Sequence, residues 1–182
     1  MKNLKFLFIL LIFNFNAIFL QAQVFKTFEG SVYFESDAPL EKIEAKSKKL
    51  RGAINASKRT FAFSIPIKSF LGFNNPLQQE HFNENYLESK KYGTATFTGK
   101  IIEKINFSKD GKYTVRAKGK LTIHGVTQER IIKSDFEIKK GKIYINTIFT
   151  VLLDEHKIRV PKIVYQKISK EISVKVNAVF KK

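Results

Sequence analysis

Cysteine is absent from all 182 residues, and that absence removes three possibilities at once. No disulfide staples the fold, no thiolate serves as nucleophile, and no lipid is attached through a cysteine behind the N-terminal apolar run. Histidine is scarce as well: His81, His124 and His156 stand far apart in the chain. There is no paired-histidine metal motif, no nucleophile elbow and no phosphate-binding glycine loop. Internal repeats and low-complexity linkers are missing too, so a single domain is the economical reading. Only one long hydrophobic run occurs, from Phe6 to Leu20, and it falls short of the roughly 20 residues a membrane span needs.

That run follows Lys2 and Lys5 and gives way to small and polar residues, the order found in a secretory leader. Residues 1–22 are therefore expected to be a signal peptide cleaved near Ala22, and residues 23–182 a barrel domain exported to the periplasm or secreted. An uncleaved N-terminal anchor is the competing reading. Without disulfides, the exported domain must be held together by burial and backbone hydrogen bonding.

Acids are outnumbered, 16 against 33 lysines and arginines, for a formal charge of +17; the two leader lysines account for 2 of it and leave +15. Such a surface attracts anions. The cations are scattered over the polar faces of strands, which argues against a dedicated nucleic-acid site and leaves an anionic envelope surface as a partner.

Periodicity decides the class. From Lys112 to His124 the odd positions Tyr113, Val115, Ala117, Gly119, Leu121 and Ile123 are apolar or small and the even ones polar, which is the pattern of a half-buried strand. The next run places Val126, Ile132, Phe136 and Ile138 on one face, with Gln128, Arg130 and Ser134 as polar exceptions on it. Similar runs carry Phe28, Val32 and Phe34; Phe61, Phe63, Ile65 and Ile67; Ala95, Phe97 and Ile101; Ile143, Ile145, Phe149 and Val151; and Ile172 to Phe180. With residues 49–55 as a weaker candidate, about eight strands result. Lys109-Asp110-Gly111 and Lys139-Lys140-Gly141 read as short hairpin connections, so the strands form an antiparallel meander. Closing it into a barrel removes exposed edges, and a two-sheet sandwich is the rival arrangement.

One segment departs from this alternation. Asn75 can cap a helix with Pro76 at its first position, and Leu77, Phe82, Tyr86 and Leu87 recur at helical spacing. A short helix between strands is predicted, covering an opening or an edge.

Candidate chemistry is thin. His81 and Glu84 share a helical face, but two ligands do not make a metal site. Asp154, Glu155 and His156 read as a polar loop, since no nucleophile stands near them in sequence to be activated. His124 precedes Gly125 and reads as a turn residue whose ring bonds nearby backbone. Neither metal nor cofactor is implied, and no catalytic residue is assigned.

The stretches HFNENYLESKKYGTATFTGKI and GKYTVRAKGKLTIHGVTQERII resemble the polyisoprenoid-binding YceI-like family, in which an HF-containing helix precedes a KYPxATF-like strand start and an LTIHGVT-like hairpin. Gly93 stands where the family commonly has proline. The resemblance covers nearly the whole chain after the leader. It implies a mainly β fold, an eight-stranded antiparallel lipocalin-like barrel with one short inserted helix, exported to the periplasm. It also implies that the apolar interior of some members holds a long isoprenoid chain. On that basis the ligand-facing residues are expected to be Phe61, Phe63, Ile65, Phe97, Val115, Leu121, Ile123, Phe136, Ile145, Phe149, Val174 and Val176, with His81 as a polar contact at the mouth. Each apolar position is equally readable as plain core, because eight strands can be filled by their own side chains. The leading expectation is a non-enzymatic carrier of an isoprenoid or other long-chain lipid. The alternative is a filled barrel acting as an envelope stress or interaction module through its cationic surface.

Overall fold

The computed structural model describes residues 23–182; residues 1–22, expected from the sequence to be a leader, lie outside the described residues. Nine strand segments form one antiparallel sheet: β1 (Val24–Asp37), β2 (Lys42–Ser47), β3 (Arg51–Asn55), β4 (Thr60–Pro66), β5 (Thr94–Ile101), β6 (Gly111–Ile123), β7 (Val126–Lys139), β8 (Lys142–Leu152) and β9 (Glu171–Lys181). β2 and β3 pair with opposite halves of β1 in one continuous register, from Asp37 opposite Lys42 to Val24 opposite Asn55. They are one stave interrupted at residues 48–50. β1 also pairs with β9 from Lys26–Lys181 to Ser36–Ile172, so eight staves close into a barrel.

The first stave corrects one sequence-based expectation. Phe28 sits at a bulge between Thr27 and Glu29 and is 46% exposed, outside the barrel, with the ammonium groups of Lys181 and Lys142 at 4.0 and 5.5 Å from its ring centroid. An extra residue in one strand reverses which side chains point inward. Phe25 is therefore buried on the N-terminal side of the bulge, and Val32 and Ser36 on the other.

The polar exceptions on β7 also have a structural reason. β7 pairs with β8 only from Asp135–Asn146 to Lys139–Lys142; beyond that point the ladder stops and side chains link β7 to β8 and to the turn that follows it. Thr147 donates to the Lys133 carbonyl at 2.6 Å. Arg130 donates to the Thr150 carbonyl at 2.7 Å and to the Glu155 carboxylate at 2.8 Å, and the Gln128 amide donates to the Glu155 carbonyl at 2.7 Å.

One end of the barrel is plugged. Loop residue Phe107 packs against Phe25, ring centroids 6.1 Å apart, beside buried Ile101. The other end gathers the turn at 38–41, the long β4–β5 connection, the β6–β7 turn and the β8–β9 loop. The β4–β5 connection carries α1 (Pro76–His81), where the Asn75 side chain accepts from the Gln78 N–H at 2.9 Å. Pro76 at the first position lacks an N–H that would have no partner there. The helix then widens by one turn, Leu87 N–H reaching the Phe82 carbonyl five residues back at 2.9 Å. This places Phe82 toward the barrel instead of solvent.

The β6–β7 hairpin is a two-residue turn with His124 at φ 52° and Gly125 at φ 70°, the backbone that matches the twist of the flanking strands. A Cβ on Gly125 would lie 2.4 Å from the Tyr92 ring. The His124 ring ties three segments together: Nδ1 donates to the His156 carbonyl at 3.1 Å, Nε2 meets the Glu88 carboxylate at 2.5 Å, and Tyr92 packs edge-on with centroids 4.7 Å apart. Its backbone partner is remote in sequence, not local.

Candidate functional site

Inside the closed sheet is a cavity of about 530 Å³. Its wall is built from alternate residues, because side chains on a strand point to opposite faces with period two. Phe61, Phe63 and Ile65 come from β4, Phe97 from β5, Leu121 and Ile123 from β6, Phe136 from β7, Ile145 and Phe149 from β8, and Val174 and Val176 from β9. The structure thus brings together 11 of the 12 interior positions named from sequence. Val115 is the exception: it is fully buried in the packed core toward the plugged end and does not reach the cavity wall.

Phe63, Phe97, Phe149, Val174 and Val176 point inward yet are only half-buried. Their remaining surface faces the cavity. Phe61, Phe63 and Phe97 form a run of rings, with neighbouring centroids 5.1 and 4.9 Å apart. The floor is sealed by Phe180, 5.5 Å from Phe63.

Sequence reasoning missed a second aromatic group beneath α1. Phe34 stacks on Phe82 at 5.3 Å and 14°, and Phe70 and Phe73 close around that pair at 5.9 and 5.0 Å from Phe82. All four line the cavity. The helical spacing of Phe82 was a signal for this group; Phe70 and Phe73 lie in irregular chain and carried none.

The mouth differs in chemistry from the shaft. Among lining residues the ionisable side chains are Glu41, His81, Tyr86 and Lys167, and every one sits on a segment at the open end. Glu41 accepts from the Gln78 side-chain amide at 3.0 Å, joining the 38–41 turn to α1. Burial raises the Tyr86 phenol above its ordinary value. His81 stands exposed on α1, and Glu84, its neighbour on the helical face, is taken by Lys90 at 3.0 Å. Among the described residues no group of three His, Cys, Asp or Glu side chains is placed to hold a metal. His156 is buried, with Nδ1 donating to the Val126 carbonyl at 3.2 Å, and burial pushes its imidazole below the usual histidine value. The site is therefore an apolar shaft with a polar rim, suited to an amphipathic molecule entering tail first.

A family model described as the YceI-like domain matches residues 19–180. No curated protein matches the chain. Among solved structures, BcnA from Burkholderia cenocepacia is 16% identical, with TM-score 0.68 over 82% of this chain and 95% of that one. A polyisoprenoid binding domain from Saccharophagus degradans is 11% identical, with TM-score 0.72 over 86% of this chain and 97% of its own. The Campylobacter jejuni YCEI protein is 19% identical, with TM-score 0.55 over 71% and 78%. At these identities the likeness establishes the shared barrel.

Proposed function

Since the chain belongs to the YceI-like family, we propose that it is an exported, non-enzymatic lipid-binding protein whose barrel encloses an isoprenoid or similar long-chain tail. The observation that carries this reading is the apolar cavity of about 530 Å³. Ligand pockets typically measure roughly 300 to 1,000 Å³, whereas a barrel acting only through its outer surface needs no interior space. The polar rim supports a defined orientation: tail among the phenylalanines and valines, head group between Glu41, His81 and Lys167. The leader-like residues 1–22 and the periplasmic or secreted destination they imply support the same role. The charge of the exterior, +15 without the leader lysines, supports contact with an anionic envelope surface.

Organic extraction of the protein purified from its host, followed by mass spectrometry, tests the reading. A long-chain lipid, recovered in an amount comparable to protein, is expected. An empty extract, together with failure to take up added polyprenol, would overturn it in favour of the surface-interaction module.

A further inference from the structure

The β8–β9 loop has a composition that lipid enclosure does not explain. Between His156 and Glu171 it carries Lys157, Arg159, Lys162, Lys167 and Lys170 and no acid. Its tip, a short 3-10 turn at Lys162–Val164 after Pro161, leaves Ile163 92% exposed and Tyr165 62% exposed. Single exposed apolar residues are ordinary; here they are grouped. The Leu40 N–H donates to the Gln166 carbonyl at 2.9 Å, and Glu41 is joined to Gln78 on α1 beside Leu77. Leu40 and Leu77, 65% and 58% exposed, therefore share one lip with Ile163 and Tyr165. That lip surrounds the cavity mouth, since Leu77, Val164 and Lys167 also line the cavity.

Charge is distributed to match. Lys170 faces Asp154 at 3.5 Å, while Lys157, Arg159, Lys162 and Lys167 form no ion pair among the described residues. Rim acids are largely engaged elsewhere: Glu35 and Glu44 by Lys42, Glu155 by Arg130, Glu41 by Gln78. Asp37 follows Ser36, whose hydroxyl accepts from the loop's Ser169 N–H at 2.9 Å, so this acid stands beside the loop, whose four unpaired cations outnumber it.

We propose that this lip docks on an anionic phospholipid bilayer, with Ile163 and Tyr165 seated at the interface and the loop cations over the head groups, so that the cavity opens directly onto the lipid it loads or delivers. An apolar tip flanked by cations combines burial with attraction to anionic head groups, and the mouth stays continuous with the acyl region. The inference rests on the lipid-binding reading of the cavity.

The chain contains no tryptophan, so Ile163→Trp supplies a lone reporter in the processed protein purified from its host. With phosphatidylglycerol–phosphatidylcholine vesicles its emission is expected to shift to the blue and to be quenched by brominated lipid. With phosphatidylcholine alone the change should be weak. Arg159→Gln combined with Lys162→Gln, neither on the cavity wall, should weaken vesicle binding about thirtyfold, at roughly fivefold for each cation near the surface. Lipid occupancy of the double variant should be unchanged. An emission unaffected by anionic vesicles, or equal binding to neutral ones, would overturn the docking lip. Lipid in the extract without vesicle binding rejects this inference alone; vesicle binding by a protein that neither contains nor accepts lipid rejects cavity loading.

Discussion

Val176→Phe separates an open lipid shaft from a filled core at one position. Val176 faces the cavity from β9, with Val32 and Thr147 opposite it on the neighbouring staves, so a ring there meets modest side chains on both sides and space in front. The larger side chain adds about four heavy atoms and displaces about four ligand carbons, which at roughly 0.3 to 0.8 kcal/mol each comes to about 1 to 3 kcal/mol of lost affinity. The expected weakening for a long-chain lipid is roughly five- to 150-fold. Lipids short enough to leave that part of the shaft empty should be affected less. Thermal stability should hold or rise, because the new ring fills space next to apolar neighbours instead of displacing them. In a filled barrel the same change would overpack the interior, costing roughly 1 to 3 kcal/mol and lowering the melting temperature by about 2 to 12 °C. Titration with a ladder of fluorescent prenols, alongside thermal melts, reads both quantities. Unchanged long-chain affinity, or a clear fall in melting temperature, would refute the reasoning.

Gly125→Val should destabilise the fold by about 2 to 4 kcal/mol, because a β-branched residue resists φ 70° and its Cβ would meet Tyr92 at 2.4 Å; a melting temperature equal to wild type would contradict the turn geometry. Stability should decline as pH falls below about 6.5, the unfolded histidine value, on account of His156. Burial depresses its folded-state pKa, so the unfolded chain binds the proton first, and the stability present above the unfolded value is lost as pH drops through the folded one. Melts between pH 7.5 and 5.5 should show that slope in the wild type, and His156→Gln should flatten it; identical slopes would reject this source. N-terminal sequencing of the exported protein should begin near Gln23, and an intact Met1 would exclude cleavage.

Much of the barrel was legible because alternation along β6, β8 and β9 is a direct record of which residues face inward. The same alternation named most of the cavity wall. What it could not show had physical causes. The bulge at Phe28 reverses the phase of β1, and its one nearby mark is Gly30, two residues on, a weak signal inside a strand. β2 was missed because its inward residues include Ala45 and Ser47, both buried but too small or polar to stand out. Gln128 and Arg130 look like errors of register and are instead side chains that reach the turn at Glu155 and, for Arg130, the β8 carbonyl of Thr150, where the β7–β8 ladder has ended. Phe70 and Phe73 reach the cavity from irregular chain, where neither period applies. The difference between a lined space and a filled core is a residual volume set by all staves together, so no run of residues could reveal it. Val115, equivalent to Leu121 by pattern, lies in the packed core because it is nearer the plugged end.

The most direct measurement is a crystal structure of the protein purified from its host without delipidation. Lipid enclosure predicts continuous density for a single apolar chain running from the rim at His81 and Lys167, past Phe63, Phe149 and Val176, to the floor at Phe136, with the cavity walls placed as described. A cavity holding only scattered solvent, or one closed by inward collapse of Phe63, Phe97 and Phe149, would contradict it.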